Sequence, residues 1–247
     1  MGFSLREVDR VLRGTYTRRE ELAEGRIHVP ARTLVTASLV LGALYGLFMG
    51  LYAVIGPVPG PRFRQLLMTT AKVPLLFLLT LLVTFPSLYV FSALSGSRLS
   101  ARDTLRLLLV AIAVNLAVLA SFAPVTGFFT LSTGSYPFMI VLNVVFFTIA
   151  GLVGLVFLWK ALNAVFGARP GALEEGDEFE TSAPGERRSR AVLVIWTAIY
   201  ALVGAQMGWI LRPFIGAPYL GFQYFRQREL NFFQGFLRAL GRLLDVD

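Results

Sequence analysis

The chain of 247 residues has no cysteine, one histidine, and charged side chains at only 15% of its positions. Without cysteine there is no disulfide framework, no thiolate nucleophile and no cysteine metal site. The histidine, His28, has no Cys, His or acidic cluster at ligand spacing around it, so zinc-type coordination lacks a donor set. Lysine is nearly missing as well: of 23 basic residues only Lys72 and Lys160 are lysine, a bias of the kind GC-rich bacterial genomes produce. Acidic residues occur in four places alone: the first 24 residues, Asp103, the stretch from Glu174 to Glu186, and the tail after Phe225. A water-soluble domain is roughly 25% charged, and charge recurs along each element because one face meets solvent. Here it vanishes for twenty or more residues at a time, and that pattern means lipid.

The same gaps bear on chemistry. No Asp, Glu or His lies inside the apolar runs. An intramembrane serine protease would lack its base, and metal- or glutamate-dependent hydrolysis would lack its reactive group. A proton-coupled carrier would lack its usual ionisable residue. Glycine-rich phosphate loops are absent too. The expectation is therefore no enzyme, no cofactor and no metal. A net charge of +8 would point to nucleic acid in a soluble protein; here anionic headgroups are the simpler counterpart, and no nucleic-acid partner is expected.

What the sequence does hold is apolar length. Hydrophobic residues make up 55% of it, and crossing the hydrocarbon takes about 20 of them in a helix. Five stretches qualify, near residues 34–55, 73–94, 105–129, 138–162 and 191–211. Pro86 and Pro124 fall inside the second and third, where membrane helices accept proline as a kink. The expected fold is all-α: a polytopic transmembrane helical bundle of about five spans, with amphipathic interfacial helices at both ends. The N-terminal segment, residues 1–33, is expected to carry no cleavable signal, leaving the first span as an uncleaved anchor. Gly56 to Pro61 reads as a rigid turn, followed by a short interfacial helix from Arg62 to Ala71. Ser100 with Asp103 reads as a capping box opening the third span. The charged stretch 167–190, with Pro170 and Pro184, is the best candidate for disorder.

Orientation follows from arginine and lysine. An N-terminus inside puts fifteen basic residues in the inner segments and eight in the outer ones. That favours a cytoplasmic N-terminus in the bacterial inner membrane, although the five tail arginines would suit the inner side better. At the start, Leu5, Val8, Val11 and Leu12 share one helical face. At the end, Phe232, Phe233, Phe236, Leu237, Leu240, Leu243 and Leu244 recur at helical spacing with Arg238 and Arg242 between them. Both read as helices lying in the lipid interface, with packing on a soluble partner as the other reading.

Three sets of residues invite a functional reading. Gly42, Gly46 and Gly50 recur every four residues in the first span, and Gly204 and Gly208 repeat the device in the last. Stripped faces of this kind let another backbone approach, either a partner or second copy, or a neighbouring span of the same chain. Asn115, Asn143 and Gln206 are the amides within the spans; an interhelical pair between Asn115 and Asn143 is the plain reading and a solute pathway the sharper one. Trp209 and Arg212, followed by Pro213, an aromatic belt, and Arg226 and Arg228, read as interfacial anchoring or as a lipid-headgroup or partner site.

The layout resembles the Yip1-like family, in which a polar cytosolic N-terminal segment precedes five closely spaced helices. The similar part runs from Lys72 to Leu162 and includes Ser95-Gly96-Ser97-Arg98-Leu99-Ser100, the helix from Asp103 to Pro124, and the pair ending at Trp159. A Tyr-Gly-Pro-type motif is missing from the N-terminal segment, so vesicle trafficking and its residues are not carried over. The string Gln206 to Phe214, with Arg226 to Glu229, is also similar to bacterial multi-pass membrane proteins. Two functions follow as expectations. The first is a non-enzymatic accessory or scaffold that binds a membrane-protein partner, forms a homo-oligomer or organises lipid. The alternative is a transporter or channel for an uncharged or amphiphilic solute.

Overall fold

The computed structural model describes residues 31–56, 60–94, 100–167, 184–211, 215 and 232–244. Those residues contain helices and no strand. Five helical stretches are long and apolar enough to cross a membrane, the make-up of a multi-pass membrane protein.

Helix α1 spans Ala31–Ile55 and α2 spans Arg62–Leu94. The second span thus begins some ten residues earlier than hydropathy indicates. The segment from Arg62 to Ala71 is not a separate interfacial helix but the first turns of α2, opened by a bond from the Gln65 N–H to the Pro61 carbonyl. Gly60, with φ of 103°, turns the chain into it, a conformation that suits a residue without a side chain. Lys72, one residue ahead of the second span as read from hydropathy, consequently lies within α2 and is buried. The third expected span is two helices, α3 (Ala101–Ser121) and α4 (Ala123–Ser132), separated at Phe122. Pro124 sits in the first turn of α4, where its missing N–H costs nothing. Ser100 caps α3 by accepting from the Asp103 N–H, and its hydroxyl also bonds the Asp103 carboxylate.

Helices α5 (Tyr136–Gly167) and α6 (Pro184–Leu211) supply the fourth and fifth spans, and α7 covers Phe232–Leu243. Residues 184–190, read as loop from their charge, belong to α6. The expected N-terminal amphipathic helix, residues 168–183 of the charged stretch, Arg212, Arg226 and Arg228 lie outside the described residues.

Packing assigns each helix its depth. In α3 every residue from Leu107 to Leu116 is buried, as a helix apolar on all sides must be at the centre of a core. Around it, α1 packs on α2, α3 and α4, while α5 packs on α3 and α6 packs on α2. The last span is peripheral: 11% of its most apolar window is buried, against 61% for α3 with α4. Among the described side chains of α6 only Trp196 and Leu211 are buried, and the others from Val194 to Ile210 are partly or fully exposed.

Candidate functional site

Contacts with different neighbours set the positions of the outer helices. Gly154 of α5 meets α3, where a Cβ would lie 3.0 Å from the Cβ of Asn115. On the other side, α6 leans on α2: the Trp196 indole donates to Ser87 Oγ at 3.0 Å, and the Gly204 and Gly208 positions sit 3.8 and 3.5 Å from Thr80 Cγ2 and Leu76 Cδ1. Because α5 and α6 are fastened to different neighbours, they barely touch each other. Between them is a cavity of about 550 Å³, within the range of small-molecule sites.

The cavity wall is apolar in the main. Phe77 and Phe147 stack within it at 6.0 Å, and Leu76, Ile140 and Leu155 extend the surface. Thr80, Asn115, Asn143, Thr148 and Tyr200 add isolated polar groups. Leu152, on the wall yet 57% exposed, and the exposed Ala201 show that the cavity opens sideways between the two helices. One end is covered by α7, which touches both α5 and α6. Gly235 of α7 lies against the Trp209 ring, its Cβ position overlapping Cη2, and Arg238 and Arg242 line the cavity there.

The polar groups differ in how well they are matched. Tyr45 donates to Asn143 Oδ1 at 2.6 Å, and Asn143 Nδ2 donates to the Met139 carbonyl at 2.7 Å. Asn143 therefore does not pair with Asn115, because the fourth-span amide is already committed to the first span. Asn115 is buried and its Oδ1 has no hydrogen-bond partner, an arrangement costing about 1–3 kcal/mol. Thr80 and Thr148 are satisfied locally, each donating to the carbonyl four residues earlier at 2.8 Å. That is the usual resort of hydroxyls in apolar helices.

Other expected site residues fall elsewhere. Gly42, Gly46 and Gly50 face α2: Cβ atoms there would lie 2.9 Å from Pro74 Cβ, Thr69 O and Leu66 Cδ1 respectively. The seam is packing within the chain. Pro74 has no N–H for the Thr70 carbonyl, and that carbonyl oxygen is 3.1 Å from the Gly46 Cβ position. Gly204 and Gly208 also face α2 and line the cavity, Trp209 lines it, and Gln206 does not. Reasoning from sequence missed Tyr45, Gly154 and a polar stripe on α2, Gln65, Thr69, Lys72, Thr80 and Thr84, all buried. The stripe repeats at three-, four- and eight-residue steps, so helical periodicity applied to polar residues would have found it.

No group of three or more His, Cys, Asp and Glu side chains able to hold a metal occurs among the described residues. The chain matches no protein-family description, no curated protein and no solved structure.

Proposed function

We propose that this is a non-enzymatic membrane protein that organises lipid by admitting an acyl chain between α5 and α6. The observation that carries the proposal is the lateral opening of an apolar cavity along helices of spanning length. A hydrocarbon tail entering from the bilayer gains dispersion contacts with a rigid aromatic wall and meets few polar groups. Tail-diazirine phosphatidylcholine in liposomes tests it. Photolabel is expected on α5 between Ile140 and Leu155 and lost in Gly151→Trp, whose side chain starts in open space on the cavity wall. Label spread evenly over all lipid-facing helices, or undiminished in that variant, contradicts it.

Carriage of an uncharged or amphiphilic solute is the second reading, favoured by Asn115 and Asn143 lining the same cavity. Flux in proteoliposomes that disappears on Asn115→Leu would promote it. The scaffold form of the proposal, with a protein partner or second copy, draws on the exposed apolar side chains of α5 and α6. We place the protein in the bacterial inner membrane with its N-terminus cytoplasmic, on the distribution of arginine alone. An interfacial position for α7 is supported by its alternation of apolar residues with Arg238 and Arg242. Kinship with the Yip1-like family rests on layout.

A further inference from the structure

We infer that the cavity selects amphiphiles with an anionic headgroup, bound as membrane lipid, through Arg238 and Arg242 of α7. The inference rests on the lipid-binding reading above and adds the headgroup class. Arg238 and Arg242 are four residues apart, so they occupy one face of α7, and both are exposed while lining the cavity. They stand where α7 covers Trp209, two residues before the end of α6. Tryptophan at the end of a spanning helix marks headgroup depth, so the two guanidinium groups meet phosphate rather than hydrocarbon. Guanidinium suits that role because its planar fork donates two parallel hydrogen bonds to phosphate oxygens.

Below that end the wall is apolar in the main, with Asn143 and Thr148 its polar groups on α5, and follows that helix from Ile140 to Leu155, about 22 Å at helical rise. Cation at one end and hydrocarbon beneath is the complement of one anionic lipid with a tail inserted. A spanning helix from a partner fits less well, because α7 closes the end through which it would have to continue.

The test compares two tail-diazirine probes with identical chains, phosphatidylglycerol and phosphatidylcholine, each at trace level in phosphatidylcholine liposomes holding the full chain. The phosphatidylglycerol probe is expected to label Ile140 to Leu155 on the order of tenfold more, given two basic groups near a surface. In Arg238→Gln/Arg242→Gln that ratio falls to near one while phosphatidylcholine labelling persists. Arg238→Lys/Arg242→Lys, keeping the charge, retains most of the preference. Equal labelling of the native chain by both probes, or a preference surviving the glutamine variant, overturns the headgroup inference and leaves acyl-chain binding standing. No cavity labelling by either probe removes the lipid-binding reading itself, and this inference with it. Soluble glycerol phosphate is expected to leave labelling unchanged; displacement by it would show a site for free phosphate and overturn the assignment to lipid.

Discussion

The Tyr45 hydroxyl donates to Asn143 Oδ1 at 2.6 Å and so joins α1 to α5 across 98 residues of sequence. Tyr45 is fully buried, and its ring also meets Phe147 edge-on at 5.6 Å. Thr126 of α4 points its hydroxyl at the same phenolic oxygen, at 3.5 Å. Three helices therefore converge on one phenol.

Tyr45→Phe keeps the ring contact and removes only the donor. Asn143 Oδ1 is then left unmatched in a buried setting. Interhelical hydrogen bonds in membranes average about 0.6 kcal/mol and reach about 1.7, while an orphaned buried acceptor costs about 1–3. A loss of about 1–2 kcal/mol is expected, read from unfolding in mixed detergent micelles. Combined with Asn143→Leu the two losses should be well short of additive; additive losses would mean that the bond contributes nothing.

Gly46→Leu is expected to be far more damaging. The atoms beside its Cβ position, Thr69 O and Thr70 Cα at 2.9 Å, are backbone and cannot swing aside. To admit a side chain, α1 and α2 must separate over the seam from Gly42 to Gly50. Overpacking usually costs about 1–3 kcal/mol, and a rigid wall puts this change at or above the upper end. Gly151→Ala is the control, because nothing lies within 4 Å of its Cβ position. Better helix propensity should make it neutral or stabilising, by up to about 1 kcal/mol. Similar losses for the two substitutions would refute the internal seam.

These two sites mark the reach of the sequence. Five apolar stretches were legible because bilayer thickness imposes a length on every crossing. The start of α2 was not, because a helix continues through polar residues as long as its backbone bonds are made, and Arg62 to Lys72 do continue it. The glycines were legible as a stripped face, but not what covers it. That depends on how α1 and α2 register, and Pro74 against Gly42 settles it only in three dimensions. The partner of Asn143 was missed for the same reason. An amide announces that it needs a donor, and the donor came from Tyr45, inside the first apolar stretch. The cavity has no one-dimensional signature, since it exists because α5 and α6 are fastened to different neighbours.

Cysteine-scanning tests the orientation drawn from the arginines. The chain has no native cysteine, so single thiols report without background. Ser135 is exposed in the turn between α4 and α5, and Ser135→Cys is expected to react with an impermeant maleimide added outside intact cells. Asp177→Cys should react only after the membrane is opened. The opposite pattern would invert the topology and place the Arg238 and Arg242 end of the cavity in the cytoplasmic leaflet.

The seating of α7 is testable through Gly235. Its Cβ position overlaps the Trp209 ring at Cη2 and Cζ3, so any larger residue must push the indole away or lift the helix. In Gly235→Leu the branched side chain enters the volume of the ring, and α7 is expected to leave the end of the cavity. Trypsin should then cut faster at Arg238 and Arg242, since cleavage follows the population of the opened segment. Trp209→Ala in the same chain vacates the overlapping volume. The Trp209→Ala/Gly235→Leu pair should therefore slow cleavage again, even though each change alone loosens the contact. Such a sign reversal is expected of groups that compete for one volume. Cleavage unaffected by Gly235→Leu would mean that α7 does not rest on Trp209 in the membrane, and the two arginines would lose their place at the cavity.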